Sequence, residues 1–553
     1  MANLTRDDII MTVTESYIAS LNPANFPDAR TAQRDLLEMT QDEIELANAA
    51  IMNKDRKWEM VKRLLPVQVA KLMLTFDNVI KVSFTGGNGD YDMVAAYVGE
   101  GPQEGIYTVQ SNDIHNIAMR YSYTMTEKEW QETYNILTRL APQRELCKDQ
   151  NLVVVGNGIF DFDTKTLQPF TPDLVFLSKS RVSYNPNATS PVITMPDGQT
   201  WEVEQWMSEL SDDEGVPELL WEIVGAVIRP NVAWNKSAWF YSEQGNNGKG
   251  TLCALMQNIC GQGNYATLKI EDMGKDFMLE QVIGKSAIIT DENDVGTYVD
   301  KAANLKSLIT GDAIMINRKY KNAISYKFRG FMVQCLNELP KIRDRSNSIY
   351  RRQLFVPFRK CYTGVERKYI KTDYLSRDDV LEYVLRRVLE MDYYALSEPA
   401  ACTDVLDEYK VYNDPIKQFC EDVLPELKWD GVPFKFLYDL YCAWMKKNIP
   451  GSSLLGRTAF THNFEIEMQQ RENWDCDSKR VVKTGHKMDA YEPLIKEYQL
   501  KDWMNTGYGG TNDLVKYAPA SVPGTFRGII RVVPSGTAVD FADTEVDCGG
   551  DDL

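Results

Sequence analysis

The stretch that decides the fold is SAWFYSEQGNNGKGT, residues 237–251. Residues 237–242 form an apolar run that predicts a short strand, and the chain after Thr251 continues as a helix to Cys260. A strand, a glycine-rich turn and a helix are the context of a phosphate-binding loop, in which several backbone N–H groups must meet triphosphate oxygens at close range. We therefore predict a nucleotide site formed by Gly245, Asn246, Asn247, Gly248, Lys249, Gly250 and Thr251.

Each part of this loop has a physical role. Glycines at 245 and 248 let the backbone approach the phosphates, and Lys249 supplies a point charge toward the β and γ phosphates. The helix that follows adds the positive end of its dipole. The loop departs from the strict pattern because Glu243 stands where the first glycine is expected and Gly250 precedes the hydroxyl residue, so Thr251 becomes the candidate ligand of Mg²⁺.

Polar residues end the next two predicted strands. KSAIITDE, residues 285–292, is an apolar strand that ends in Asp291 and Glu292, and GFMVQCL, residues 330–336, is followed by Asn337. In an ATPase of this kind the first acid holds Mg²⁺ and the second polarises the attacking water. An amide at the next strand end can bind that water or the γ-phosphate, so we predict catalytic roles for Asp291, Glu292 and Asn337 beside Lys249.

Two adjacent arginines, Arg351 and Arg352, lead into a further apolar strand. An arginine near a subunit edge can reach the γ-phosphate of a neighbouring subunit, where such residues contribute roughly 10³–10⁵ in rate. A surface salt bridge is the alternative for each of them, and charge alone does not choose between the two.

The composition narrows the class of protein. The chain has 553 residues, a net charge of −18, three histidines and ten cysteines, none of them at C-x-x-C spacing, which argues against a zinc ribbon or a two-histidine nuclease. Cys253, Cys260 and Cys335 stand in apolar runs and are predicted to be buried free thiols. Residues 318–371 contain fifteen Lys and Arg against three acids, which gives the region beside the nucleotide site a local excess of +12.

The order of these motifs resembles that of superfamily III helicases, most closely the poxvirus and phage or plasmid primase-helicase branch. The motifs that carry the resemblance are GNNGKGT, IITDE, LITGDAIMINRKYKN, NELP and SIYRRQLFVPF, with NGIFDFDTKTL ahead of them. The resemblance implies an α/β fold with an AAA+-type P-loop core, an α+β N-terminal region and a small, mainly helical, winged-helix-like C-terminal domain. It also implies a homohexameric ring with ATP and Mg²⁺ between subunits and a phage or mobile-element origin.

The resemblance also assigns roles to individual residues. Thr251 and Asp291 bind Mg²⁺, Asn337 is the sensor, and Arg352, with Arg351 second, is the finger supplied in trans. Arg318, Lys319, Tyr320 and Lys321 match the hairpin that grips the DNA backbone, where adjacent cations neutralise phosphates and an aromatic ring can rest on a base.

Pattern and resemblance together predict six parts of the chain. They are a helical extension at 1–75, an α+β domain at 76–230, the ATPase core at 231–365, a helical linker or lid at 366–412, a winged-helix-like domain at 413–504 and a flexible acidic tail at 505–553. No primase is evident, since Asp90-x-Asp92 and Asp161-x-Asp163 are the only acidic pairs of interest before the ATPase and Asp161 lies in a strand-turn.

Three functions are compatible with these motifs. The first is a replicative helicase that hydrolyses ATP and unwinds DNA, single-stranded or forked, with other replication proteins as further candidate partners. The second is an initiator or loader that uses the same ATP site without unwinding. The third is a nucleotide kinase, suggested by the G-K-G-T order that adenylate kinases share and disfavoured by Asn337 and the arginines. No run of about 18 apolar residues is present, so we expect a cytoplasmic protein, in the host cell if phage-encoded.

Overall fold

The computed structural model describes residues 5–22, 25–84, 92–294, 296, 298–299, 302–319, 321–342, 344, 346–448, 454–519 and 521–532. It divides into two compact units, residues 1–409 and 410–553, which are described separately below. None of the helices in the described ranges combines the length and the apolar character needed to cross a lipid bilayer.

The N-terminal part of unit 1 is one α+β layer. Its elements are α1 (Arg6–Ser20), α2 (Ala29–Ala49), α3 (Pro66–Phe76), β1 (Ile80–Ser83), β2 (Met93–Tyr97), β3 (Tyr107–Thr108), α4 (Ser111–Tyr121), α5 (Glu127–Leu140) and β4 (Gln143–Glu145). The strands form a sheet in the order β3-β2-β1-β4. A single apolar cluster runs from Ile9 to Ala141 and spans the predicted boundary at residue 75. Helices this short bury their apolar faces only against other elements, and α1 to α3 use the same core as the strands that follow.

A second group of elements leads into the central sheet. It contains β5 (Leu152–Val155), β6 (Gly158–Asp161), β7 (Thr166–Gln168), β8 (Ile193–Thr194), β9 (Thr200–Trp201), α6 (Val203–Glu209) and α7 (Val216–Ala226). At the turn after β6, Asp161 Oδ1 accepts hydrogen bonds from the backbone N–H groups of Asp163 (3.0 Å) and Thr164 (3.1 Å). The Asp161-x-Asp163 pair therefore closes a turn, as the sequence predicted, while Asp90 lies outside the described residues.

The central region of unit 1 carries the predicted motifs. Its elements are β10 (Ser237–Tyr241), α8 (Lys249–Cys260), β11 (Tyr265–Ala266), β12 (Ala287–Thr290), β13 (Tyr298–Val299), α9 (Ala303–Thr310), β14 (Ala313–Arg318), β15 (Lys321–Lys327), β16 (Phe331–Leu336), β17 (Lys341–Ile342), α10 (Asn347–Tyr350) and β18 (Gln353–Pro357). Five of the strands form a parallel sheet in the order β11-β12-β16-β10-β18. Because parallel strands share one carboxyl edge, the residues that follow β10, β12 and β16 meet at the same edge.

The helices after the sheet belong to the same core. They are α11 (Lys368–Thr372), α12 (Asp378–Glu390) and α13 (Ala400–Asn413), the last of which crosses the division between the units. The apolar face of α12, including Val384 and Val388, is fully buried in the cluster that also holds β10 and α8. Within the segment predicted as a linker or lid, 366–412, the side chains of α12 are thus part of the core.

Unit 2 is a small α+β domain. It contains α14 (Pro415–Val423), β19 (Gly431–Pro433), α15 (Phe434–Asn448), α16 (Arg457–Met468), β20 (Trp474–Cys476), β21 (Val482–Lys483), α17 (Pro493–Glu497), α18 (Asp513–Lys516), β22 (Thr525–Phe526) and β23 (Gly528–Arg531). The three-stranded antiparallel sheet has the order β19-β23-β20, and β21 pairs with β22. The winged-helix-like character of this domain stays a prediction.

The predicted boundary between this domain and the tail needs correction. Residues 505–532 were assigned to the flexible tail, but β23 lies in the middle of the sheet and Ile529 is fully buried. The apolar residues Phe526 and Ile529 supply the burial that orders this segment. The acidic residues 533–553 lie outside the described residues.

Candidate nucleotide site

The loop between β10 and α8 is shaped by backbone that only a few residue types adopt. Asn246 has φ of +53° and Gly248 has φ of +92°, both in the left-handed region that favours glycine and tolerates asparagine. The buried side chain of Asn247 donates a hydrogen bond to the carbonyl of Gln244 and accepts one from the backbone N–H of Lys249 at 3.3 Å. The predicted strand, loop and helix are thus present, and the helix begins two residues before its predicted start.

Lys249 is the centre of the site. Its side chain is buried, and Nζ donates hydrogen bonds to the carbonyl of Leu336 (2.9 Å), to Oδ1 of Asn337 (2.8 Å) and to the carbonyl of Ser242 (3.3 Å). Burial lowers the pKa of the ammonium group, because the charged form loses solvation. The lysine therefore joins the ends of β10 and β16 at the carboxyl edge of the sheet.

Asp291 comes from the end of the third strand and lies against the start of α8. A Cβ atom at Gly250 would stand 2.6 Å from Oδ1 of Asp291 and 3.0 Å from Oδ2. A Cβ atom at this position would force the Asp291 carboxylate to shift, so glycine at 250 allows that carboxylate to lie against the start of α8. The three strand ends that carry Ser242, Asp291 and Asn337 are thus brought together around Lys249 and Gly250.

The other predicted polar residues surround this point. Glu292 is exposed beside Asp291, and Thr251 is half-buried in the first turn of α8. A hydroxyl and a carboxylate are oxygen donors of the kind that Mg²⁺ prefers, so Thr251 and Asp291 fit the predicted cation. The amide of Asn337 is exposed at the strand end while its oxygen accepts the bond from Lys249.

Sequence reasoning missed two groups that hold the site. Asn293 is buried, and its Nδ2 donates to Oε1 of Gln334 and to the carbonyl of Cys335, both at 3.0 Å, which anchors the turn after β12. Lys371, in α11, lies with Nζ 3.5 Å from Oδ2 of Asp291. The only sequence signal for Lys371 was its place in the basic run of residues 318–371.

The segment that precedes α11 also forms hydrogen bonds with the loop of residues 245–251. The backbone N–H of Tyr362 donates to the carbonyl of Asn246 at 2.7 Å. Nδ2 of Asn246 in turn donates to Oγ1 of Thr363 (3.2 Å) and Oε1 of Glu366 (3.1 Å). These bonds hold the left-handed residue of the loop from its outer side.

Two thiols lie beneath the site. The Sγ atoms of Cys253 and Cys335 are 3.3 Å apart, and both residues are buried. A hydrogen bond between Cys253 and Cys335, together with burial, raises the pKa of the Cys253 thiol. Cys260 is buried and free as well, so the predicted character of all three cysteines is confirmed.

The two arginines lie at the opposite edge of the sheet. The carbonyl of Arg352 accepts a hydrogen bond from the backbone N–H of Ser237, at the amino end of β10 (2.9 Å). The half-buried guanidinium of Arg352 donates to the carbonyl and hydroxyl oxygens of Ser348, whereas Arg351 is exposed. Strand β18 separates these arginines from the carboxyl edge by about 16 Å at about 3.3 Å per residue. They are not brought together with Lys249 in the same chain.

The predicted DNA-binding hairpin is formed by β14 and β15, with Arg318 paired to Lys321. Lys319 and Lys321 are exposed, whereas the side chain of Arg318 is only 9% exposed and its Nε lies 3.5 Å from Oε1 of Glu280. Tyr320 lies outside the described residues. Three of the four predicted residues can therefore be located, and two of them face solvent.

Three family models match segments of the chain. Residues 99–211 match "D5 N terminal like", residues 240–352 match "Family of unknown function (DUF5906)", and residues 412–505 match "Poxvirus D5 protein-like".

Three solved apo structures of the NrS-1 C terminal region are also similar to the chain. The first is 12% identical with a TM-score of 0.40 and covers 84% of this chain and 100% of its own. The second is 12% identical with a TM-score of 0.38, and the match covers 79% of this chain and 91% of that structure's chain. The third is 13% identical with a TM-score of 0.39, and the match covers 76% of this chain and 97% of that structure's chain. Two separate segments of the chain, residues 99–211 and 412–505, are therefore similar to D5-type domains.

Proposed function

We propose that this protein is a ring-forming DNA helicase that binds and hydrolyses ATP at the loop of residues 245–251. The observation that carries the proposal is the set of bonds from Lys249 Nζ to the carbonyl of Leu336 and the side chain of Asn337. A buried ammonium group at the meeting point of three strand ends is suited to bind a phosphate, because it is desolvated and held in position before the ligand arrives.

The chain's own residues have distinct tasks in this proposal. The backbone N–H groups of the loop and the start of α8 bind the phosphate oxygens, and Lys249 exchanges its carbonyl acceptors for the β and γ phosphates. Thr251 and Asp291 would hold Mg²⁺, which would neutralise charge on the phosphate oxygens. Glu292, which is exposed next to Asp291, accepts a proton from the attacking water. Asn337 orients that water from the neighbouring strand end.

The position of the arginines supports hydrolysis between subunits. Arg351 and Arg352 lie at the amino edge of the sheet, about 16 Å of strand away from the phosphate loop of their own chain. A contact with a γ-phosphate would thus have to be made in a neighbouring copy, which a closed ring provides. Arg352 is held by Ser348 and Arg351 is free to extend, so Arg351 becomes an equal candidate for the finger.

The exposed lysines at the tip of the β14–β15 hairpin support the DNA-binding role. Lys319 and Lys321 can neutralise backbone phosphates in a sequence-independent manner. Arg318, whose side chain is 9% exposed and lies beside Glu280, holds the base of the hairpin tip instead of contacting DNA directly.

The test is ATP hydrolysis and strand displacement by the full chain with and without forked DNA. Lys249→Ala should abolish both, by a factor of about 10³ or more, since it removes the positioned charge that stabilises the transferred phosphate. Lys236→Ala is the matched control, because Lys236 is a lysine of the same region whose ammonium pairs with Glu398 away from the loop. Full hydrolysis in Lys249→Ala would refute the proposal.

The second candidate function is separated by the same assay. An initiator or loader would hydrolyse ATP in a Lys249-dependent way and would bind DNA, but it would displace no strand. A nucleotide kinase would instead transfer the phosphate to a nucleoside monophosphate.

A further inference from the structure

Unit 2 contains a groove of about 810 Å³ next to α16. One wall is α16 itself, which contributes Arg457, Thr458, Thr461, His462 and Glu465. This spacing of one, three, one and three residues places all five side chains on one face of the helix. The face carries charged and hydrogen-bonding groups, so the groove is suited to a polar ligand.

The opposite wall and the floor come from three other segments. Lys435 lies at the start of α15, and Arg527 lies between β22 and β23. Phe434 and Phe526 are buried beneath them, and the half-buried Trp503 completes the floor. Because the aromatic rings belong to the core of unit 2, the walls of the groove are held by packing and not only by the polar contacts along it.

The groove collects three cations. Lys435, Arg457 and Arg527 are all exposed, and none of them forms an ion pair with any residue in the described part of the chain. Some other cations of unit 2 are paired with acids, as Lys447 with Glu497 (2.9 Å) and Lys496 with Asp513 (2.6 Å).

The one acid of the groove is already engaged. Oε1 of Glu465 accepts a hydrogen bond from the backbone N–H of Ser478 at 3.0 Å, and Oε2 accepts one from the Ser478 hydroxyl at 2.8 Å. The groove therefore combines three cations with one hydrogen-bonded carboxylate, a local excess of two positive charges on a protein whose net charge is −18. Like charges collected in one concave site repel each other, and a polyanion in the site would remove that repulsion.

We propose that this groove binds the phosphate backbone of DNA, as a second DNA-contacting surface in addition to the β14–β15 hairpin. The three cations neutralise successive phosphates, while Thr458 and Thr461 offer hydroxyl donors to phosphate oxygens. These side chains contact phosphates and not the edges of particular bases, so binding is independent of the DNA sequence. The inference rests on the proposed function only for the choice of DNA as the polyanion, and it needs no nucleotide at the ATP site.

The test is binding of fluorescein-labelled DNA by the full chain in the absence of ATP, over a range of salt concentrations. Arg457→Glu combined with Arg527→Glu should weaken binding at least about tenfold and lower the slope of log K against log salt by roughly 1.4 to 1.8, at about 0.7 to 0.9 per lost phosphate contact. Lys446→Glu combined with Lys501→Glu is the matched control, since both lysines are exposed, lie in unit 2 outside the groove and change the net charge equally.

The two forms of DNA and an acidic peptide distinguish the outcomes. If the groove variant loses more affinity for a single-stranded 30-mer than for the duplex, the groove binds a separated strand. If it loses more affinity for the duplex, the groove binds duplex DNA. Either result supports the proposal. Equal weakening by the control pair would overturn it, and so would unchanged DNA binding with lost binding of a labelled poly-glutamate peptide.

Two further measurements keep this test independent of the proposed function. Thermal unfolding of the groove variant should match that of the control pair, and its DNA-free ATP hydrolysis should equal that of the unaltered chain. If the Lys249→Ala variant retains hydrolysis, the helicase proposal fails, but the loss of DNA binding in the groove variant would still be measured. If the groove variant binds DNA normally, only the groove proposal fails.

Discussion

The loop of residues 245–251 and the groove beside α16 hold their cations in opposite ways. Lys249 is 5% exposed and its ammonium is bonded to three oxygens of the protein, whereas Lys435, Arg457 and Arg527 of the groove are exposed and have no ion pair in the described residues. A buried charge must be held by fixed acceptors, while an exposed charge is solvated by water.

This difference has a consequence for ligands. A site with fixed acceptors is preorganised for one compact anion and depends on the position of each atom. Exposed cations tolerate many positions of a long polyanion, and each contributes a small, salt-dependent part of the binding energy. We therefore expect large effects of substitutions around Lys249 and small, additive effects at the cationic surfaces.

The largest effect is expected at Glu292. Glu292→Gln should lower ATP hydrolysis by about 10²–10⁴, because the attacking water loses its proton acceptor, while ATP binding remains. A rapid-quench hydrolysis assay together with a fluorescent ATP analogue measures the two properties separately. Glu271→Gln is the control, since Glu271 pairs with Lys275 outside the site. A loss of nucleotide binding equal to the loss of rate would contradict a role as base.

A geometric test of the preorganised site is Gly250→Ala. The new Cβ would meet Oδ1 of Asp291 at 2.6 Å, so the carboxylate must shift, and we expect hydrolysis to fall by about 10². Alanine is favoured over glycine in a helix by about 1 kcal/mol, so the free energy of unfolding should not fall because of α8 itself.

The matched control for this substitution is Gly274→Ala, where a Cβ would meet no atom within 4 Å. Steady-state hydrolysis and thermal unfolding of both variants provide the comparison. Normal activity in Gly250→Ala would show that the position of Asp291 is not critical, and the contrast between the two kinds of site would then be weakened.

A smaller effect is expected at the exposed hairpin. Lys321→Ala should reduce the salt slope of single-stranded DNA binding by about 0.7. Arg318→Ala should instead lower the free energy of unfolding by up to about 1 kcal/mol, because Arg318 is buried beside Glu280. Fluorescence anisotropy and chemical denaturation separate the two effects. A larger loss of DNA affinity in Arg318→Ala than in Lys321→Ala would contradict this division.

The smallest effect is expected at Lys371, an exposed cation of the candidate nucleotide site that forms an ion pair with Asp291. Both side chains are 46% exposed and the ion pair measures 3.5 Å, so its contribution is small. Because Lys371 competes with Mg²⁺ for the carboxylate, Lys371→Ala should lower the half-saturating Mg²⁺ concentration of ATP hydrolysis by less than about fivefold. Lys371→Arg should leave it nearly unchanged. A rise in the Mg²⁺ requirement of Lys371→Ala would mean that the lysine assists the cation.

Much of the nucleotide site followed from local patterns. Apolar runs that end in Ser242, Asp291 and Asn337 predict parallel strands, and the carboxyl ends of such strands share an edge. The convergence of these residues could thus be predicted before any coordinates were known. The left-handed residues Asn246 and Gly248 also belong to types that this backbone favours.

Domain boundaries and the solvent exposure of charges were harder to predict. The sequence pattern predicts a separate helical extension before residue 75, yet these helices share one core with the strands after them. The glycines and polar residues of 505–532 predict a tail, although Phe526 and Ile529 place this segment in the core of unit 2. Composition describes the average of a segment, whereas a few apolar residues are enough to order it.

The sequence by itself determined the strand, loop and helix around Lys249, because these depend on apolar periodicity and glycine at short range. Only the tertiary structure decided that Asp291 lies against Gly250, that Lys371 reaches Asp291, and that Arg352 is at the far edge of the sheet. These three relations join residues 41 to 115 positions apart in the chain, as Gly250 is separated from Asp291 and Ser237 from Arg352. The packing of the core sets such distances, and no local pattern encodes them.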